Sequence, residues 1–261
     1  RLRRAARARP LVAAHRGLSQ LFPENTLHAF RAAVKAGADL VELDFHATRD
    51  GVLVCSHDHD LRRCAGPGTP RALLGKRIAR LSLADLRAVD AGSWKAPRFR
   101  GARIPTLQEA LGVILPRANP FIERKGGTPR QTLDTLRACG ALERVVVHAF
   151  DWAYLTRLHA LAPGLALGAL GGGALTRQKL EGIRRTGAHM IHWHGQSLAR
   201  GEVQHLRKLG YSVFAYTLNS ELEFRGALAL GLDGISTDRP DACLALLQKR
   251  GILNNQTGQV C

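Results

Sequence analysis

From residue 11 onward, short apolar and β-branched runs alternate with stretches whose apolar positions recur every three to four residues, the pattern of repeated strand–helix units. Eight strands are predicted: 11–15 (LVAAH), 40–45 (LVELDF), 120–125 (PFIERK), 144–150 (RVVVHAF), 165–170 (LALGAL), 189–194 (HMIHWH), 211–218 (YSVFAYTL) and 234–238 (GISTD). Amphipathic stretches follow them. In the first, Leu27, Phe30, Ala33 and Val34 share a helical face behind a cap at Thr26 or Asn25. The segment 51–57 (GVLVCSH) opens with Asp50-Gly51, a strong turn signal, and is predicted to fold back on the second strand. Residues 61 to about 105 break this rhythm with frequent Pro and Gly and one helical run, 82–90, headed by Ser82. Gly171, Gly172 and Gly173 are expected to form a flexible loop after the fifth strand.

Eight such units in roughly 250 residues predict an α/β fold, the closed (β/α)8 TIM barrel, with catalytic groups at the C-terminal ends of its strands. The irregular stretch is then a small insertion between the second and third barrel units. A single domain over 11–250 is expected, with a basic tail at 1–10 and a loose tail at 251–261. An open doubly wound sheet is the alternative. It is weakened because no Gly-x-Gly-x-x-Gly follows the first strand and Gly171 to Gly173 precede no Lys-Ser/Thr.

Composition narrows the class. Of the 261 residues 45% are hydrophobic, enough for a real core, and no apolar run approaches the roughly 20 residues that span a bilayer. The first ten residues carry five arginines and no apolar h-region, so they read as a basic tail and not an intact signal peptide. Five scattered cysteines fit neither a disulfide framework nor a zinc ribbon and point to a reducing, cytoplasmic compartment. Thirty-eight Lys and Arg against 21 Asp and Glu leave a net charge of +17, which favours anionic partners: a phosphorylated small molecule, an anionic membrane surface or nucleic acid. Only 5% of residues are aromatic, which argues against a base-stacking platform, and no nucleic acid is expected as partner.

The placement of ionisable residues on the strands is more informative. Glu42 and Asp44 lie two apart on the second strand and leave the same face, and Glu123 and Lys125 repeat that geometry on the third. Three carboxylates converging on a barrel mouth would repel one another without a cation, and their oxygens suit Mg²⁺ or Ca²⁺. Pairing with rim arginines or Lys125 is the structural alternative. His15 ends the first strand and His57 ends the hairpin, places suited to proton transfer, and Arg16 offers a planar donor fork for phosphate. His192 and His194 keep open a rival site with a His-x-His metal-ligand pair. Cys55 lacks a visible base and is disfavoured as a nucleophile.

His15-Arg16-Gly17, Pro23-Glu24-Asn25-Thr26, Glu42-x-Asp44, His57-Asp58, Ile104-Pro105-Thr106-Leu107, Glu123-x-Lys125, Thr217-x-Asn219 and the run from Gly234 to Pro240 occur in this order. Together they resemble the glycerophosphodiester phosphodiesterases, over residues 10 to 250, and in particular their compact cytosolic bacterial members. The resemblance implies a (β/α)8 barrel and one divalent metal, Mg²⁺ or Ca²⁺, on Glu42, Asp44 and Glu123. It implies phosphate contacts from Arg16 and Lys125, and His15 and His57 as the acid/base pair, with His57 taken as the acid and His15 as the base. The expected products are glycerol 3-phosphate and an alcohol such as choline or ethanolamine. Two positions depart from the family pattern. Tyr216 stands where Trp is common, keeping an aromatic wall for the substrate but adding a polar tip, and Arg124 interrupts Glu123-x-Lys125 and should point away from the mouth. Lysophospholipase D activity, a basic nucleic-acid-binding protein and a barrel kept only as a scaffold are the alternatives.

Overall fold

A computed structural model describes residues 9–252. Its eight parallel strands close on themselves: β1 (Leu11–Ala14), β2 (Leu40–Ala47), β4 (Asn119–Arg124), β5 (Val146–Ala149), β6 (Ala166–Gly171), β7 (Met190–His194), β8 (Ser212–Tyr216) and β9 (Gly234–Thr237). Closure comes from β1, which pairs with β9 on one side and β2 on the other. The short β3 (Leu53–Cys55) runs antiparallel to β2, as the Asp-Gly turn predicts. Residues 1–8 and 253–261, most of the two predicted tails, lie outside the described residues; Arg9, counted with the first tail, forks the Asp39 carboxylate at 2.6 and 2.7 Å.

Strand alternation sorts the side chains into two cores. Val12, Val41, Leu43 and Phe45 face outward and pack under the helices, while Leu11, Leu40, Phe121, Val146, Met190 and Phe214 fill the barrel interior. On β2 the inward positions after Leu40 are Glu42 and Asp44, so the apolar floor gives way to carboxylates toward the C-terminal end. The helices are α1 (Leu27–Ala36), α2 (Arg71–Leu74), α3 (Leu83–Arg87), α4 (Leu107–Ile114), α5 (Pro129–Ala138), α6 (Trp152–Leu161), α7 (Arg177–Arg185), α8 (Arg200–Lys208), α9 (Glu221–Leu230) and α10 (Pro240–Lys249). Among the described residues no helix is long and apolar enough to cross a membrane.

The insertion sits between β3 and α4 and has a core of its own, built from Leu61, Ile78, Leu81, Leu86, Val89 and Ile104 against Val54 of β3. Its predicted helix at 82–90 is shorter than expected. Ser82 caps it in a capping box with Asp85, but it ends at Arg87 because Val89 and Asp90 turn inward, where Asp90 accepts from the backbone of Gly92 and Ser93. The short α2 after Pro70 has no counterpart among the predicted elements. The triple glycine also differs from a free loop. Gly171 ends β6 beneath the Trp193 ring, which a Cβ would meet at 2.1 Å, and the Gly173 carbonyl accepts from Trp193 Nε1.

Candidate active site

Register brings the carboxylates together. Across the β2–β4 pair Asp44 lies opposite Glu123, and Glu123 in turn lies opposite His148 of β5. Donor oxygens of Glu42, Asp44 and Glu123 fall within 4.8 Å of one another, and all three residues are buried. Burial, then repulsion from Asp44 and Glu123, raises the Glu42 carboxyl well above its usual value. Burial and then repulsion from Asp44 lift Glu123 to about 7 against the pull of Lys125, whereas Arg16 and Lys125 outweigh burial and hold Asp44 low. Lys125 Nζ lies 2.5 Å from Glu123 Oε1 and 3.5 Å from Asp44 Oδ1, so one ammonium faces carboxylates from both strands, and Asp44 Oδ1 accepts no hydrogen bond. Three buried carboxylates sharing one ammonium, one of them with an oxygen that accepts no hydrogen bond, form an all-oxygen donor set that fits a hard divalent cation. The same three residues would hold it.

Around this cluster the β1–α1 loop does several jobs. Arg16 takes a left-handed backbone (φ 55°), from which its N–H donates to Glu42 Oε2 at 2.7 Å and its Nε lies 3.3 Å from Asp44 Oδ2. Its Nη1 donates to Glu24 Oε1 at 2.8 Å. Of the two cap candidates Thr26 caps α1, and Asn25 instead brackets Asp44: its side-chain N–H donates to Oδ2 and its side-chain oxygen accepts from the Asp44 backbone.

Both predicted histidines are braced through Nδ1. His15 lies 2.7 Å from Asp238 Oδ1, a carboxylate also bonded by Ser19 Oγ and Asn219 Nδ2. These bonds overcome burial and bring Asp238 down to about 2. His57 Nδ1 lies 2.7 Å from Asp58 Oδ1, while Arg63 occupies the other oxygen of that carboxylate. Burial pulls the His57 imidazolium below the usual histidine range, against the attraction of Asp44. Tyr216 donates to the Gly171 carbonyl, and its ring stands edge-on to His192 and to the exposed Phe150, over which Lys125 lies. Arg124 leaves the other face of β4, as alternation requires, and pairs with Asp151 over the Tyr154 ring.

The His-x-His rival has no support. His192 is buried with its Nδ1 3.3 Å from that of His148, His194 is exposed, and among the described residues only the carboxylate trio forms a ligand cluster. Cys55 is buried with its thiol pushed well up by desolvation. Asn25, Asp58, Arg63, His148 and Asp238 are the neighbours that sequence reasoning left without a role at the site. For the two aspartates the adjoining motifs were the available signal; for Arg63 and His148 there was none.

Comparison with known proteins agrees with this geometry. The model of the glycerophosphoryl diester phosphodiesterase family matches residues 15–242. A glycerophosphodiester phosphodiesterase of Caldanaerobacter subterraneus subsp. tengcongensis is 30% identical, covering 92% of this chain and 99% of its own. One from Bacillus subtilis is 31% identical over 89% of this chain and 85% of its own. A solved phosphodiesterase of Oleispira antarctica, in complex with the product sn-glycerol-3-phosphate, superposes with a TM-score of 0.85 at 28% identity, covering 94% of this chain and 99% of that one. With its barrel closed and its carboxylates gathered at the mouth, the chain belongs to the glycerophosphoryl diester phosphodiesterase family.

Proposed function

We propose that this protein hydrolyses glycerophosphodiesters to glycerol 3-phosphate and a free alcohol, using a divalent cation on Glu42, Asp44 and Glu123 and proton exchange through His15 and His57. One observation carries this reading: two carboxylate-braced imidazoles lie on the loops bordering a buried cluster of three carboxylates with Arg16 and Lys125 beside it. Bound there, Mg²⁺ or Ca²⁺ would neutralise phosphate charge and lower the pKa of a coordinated hydroxyl or water. Arg16 and Lys125 hold the nonbridging oxygens and counter charge as it develops. Phe150 and Tyr216 offer an aromatic wall to the apolar parts of the substrate.

The bracing carboxylates support a division of the proton roles. His57 is neutral near pH 7 because burial lowers it and because Asp58 shares its charge with Arg63, so it is the group able to take a proton from the nucleophile. His15, held by Asp238, whose other side-chain partners are Ser19 and Asn219, is then the group left to protonate the departing alkoxide. This division reverses the one expected from the sequence. Scattered free cysteines accord with a cytoplasmic setting.

Incubation with glycerophosphocholine, with and without chelator, is the test; glycerol 3-phosphate should form only without it. Turnover that survives chelation would remove the cation, and no turnover of any glycerophosphodiester would remove the activity. A p-nitrophenyl phosphodiester, whose leaving group needs no proton, should partly rescue His15→Ala and leave His57→Ala slow. The opposite pattern restores the roles expected from the sequence.

A further inference from the structure

The insertion reaches the proposed catalytic machinery through the side chain of Arg63. Arg63 Nε donates to Asp58 Oδ2 at 2.7 Å, and its Nη1 and Nη2 donate to Glu24 Oε2 and Oε1 at 2.7 and 2.8 Å. Each carboxylate has a second partner in the site: Asp58 Oδ1 braces His57 Nδ1, and Glu24 Oε1 accepts from Arg16 Nη1. One guanidinium therefore joins the arm that orients an imidazole to the arm that orients a phosphate-binding arginine.

We propose that Arg63 is a positioning residue that sets His57 and Arg16 together, so that the insertion completes the active site; this rests on the roles proposed above for those two residues. The chemistry suits the task. A guanidinium presents five donors in fixed directions and can bridge two carboxylates rigidly, which an ammonium cannot do. Without that bridge Glu24 and Asp58 lose their shared counter-charge, and the Asp58 carboxylate is released to turn away from His57. Arg63 is itself 44% exposed, so its ion pairs add little to global stability, and its removal should be read in the site before it is read in the fold.

Nuclear magnetic resonance of the full chain tests this without relying on turnover. A histidine Nδ1–H bonded to a carboxylate gives a separate downfield resonance, and the one from His57 is identified by its loss in His57→Ala. In Arg63→Ala that resonance should broaden or vanish while the His15 resonance persists; Arg63→Lys, which keeps the charge and loses the fork, should change it in the same direction. With glycerophosphocholine, kcat of Arg63→Ala should fall about 10²-fold with a smaller rise in KM. Free guanidinium in the buffer should restore part of it, and Arg62→Ala, at an exposed neighbour that pairs with Asp60, should match wild type. A His57 resonance in Arg63→Ala identical to wild type, or an unchanged kcat, overturns the proposal. If no glycerophosphodiester is turned over, the resonance still decides the role of Arg63 and the proposed activity alone falls. Should Arg63→Ala not fold, Arg63→Lys decides the question by the same two measurements.

Discussion

Glu123 illustrates how a buried cluster of carboxylates penalises the fold that carries it. Its carboxyl titrates at about 4.5 when unfolded and at about 7 in the native protein, so between those values the folded chain binds the extra proton. Stability must then fall as pH rises through that window and stay lost above it. Glu123→Gln removes this loss, by up to a few kcal/mol. In chelator, the variant should melt above wild type at pH 8, with the gap closing toward pH 5; added Mg²⁺ or Ca²⁺ should raise wild type more than the variant, whose turnover is lost. A variant melting below wild type at pH 8 would mean that the Lys125 contact outweighs the repulsion. The buried neutral imidazoles His148 and His192 act with the opposite sign, losing stability as pH falls below about 6.5, but they do so in both proteins and cancel in the difference. At this scale the pairs Glu42/Asp44 and Glu123/Lys125 were legible because alternation puts residues i and i+2 on one face. The Asn25–Asp44, Arg63–Glu24 and His15–Asp238 contacts were not, since they join positions 19, 39 and 223 apart in sequence.

Elements deliver those residues to the mouth, and the loop from β1 to α1 is the most demanding of them. Arg16 and Gly17 both take positive φ, and a Cβ on Gly17 would stand 2.6 Å from the backbone carbon of Ala29 in α1. In that conformation the Arg16 N–H reaches Glu42 Oε2. Gly17→Ala should therefore cost about 2 kcal/mol or more, from strain and forced separation of α1, and lower kcat by shifting Arg16. Denaturant unfolding and glycerophosphocholine turnover measure the two effects; an unchanged unfolding midpoint would show that α1 yields freely. Helix starts were the most readable feature of the elements. Ser82 and Thr26 cap where expected, since a side chain that accepts from the first turn acts locally. Helix ends were less readable: the stop at Arg87 depends on Asp90 finding backbone partners, and the close approach of Gly171 depends on Trp193 arriving from the next strand.

For the whole molecule the charge of +17 is unevenly spread. Residues 61–105 hold eleven Lys and Arg against two Asp and Glu, so the insertion carries about half of the excess. Several of these cations are committed locally: Arg63 to Glu24 and Asp58, Arg87 to Glu109, Lys95 to the Ser19 carbonyl. In the proposed site a small diester would meet Arg16 and Lys125 with its phosphate. Its kcat/KM should consequently fall less than about tenfold between about 50 and 200 mM salt, where a protein clamping many phosphates loses about 10³-fold or more. Steady-state rates across that range, with DNA binding measured in parallel, check this; tight salt-sensitive DNA binding without diesterase turnover would overturn the enzyme.

The sequence by itself determined the strand–helix alternation of the barrel, the shared face of Glu42 and Asp44, the place of Glu123 on the following strand, and the strand-end positions of His15 and His57. Each follows from periodicity along the chain, which a linear pattern encodes directly. Tertiary structure alone decided that β1 closes the barrel between β9 and β2, that Asp238 and Asp58 brace the two imidazoles, and that Arg63 ties the insertion to both arms of the site. Those contacts depend on register between distant strands and on where an irregular loop packs. No periodicity along the chain reports either, because hydrogen bonds between remote side chains form only after the backbone has brought them within about 3 Å of each other.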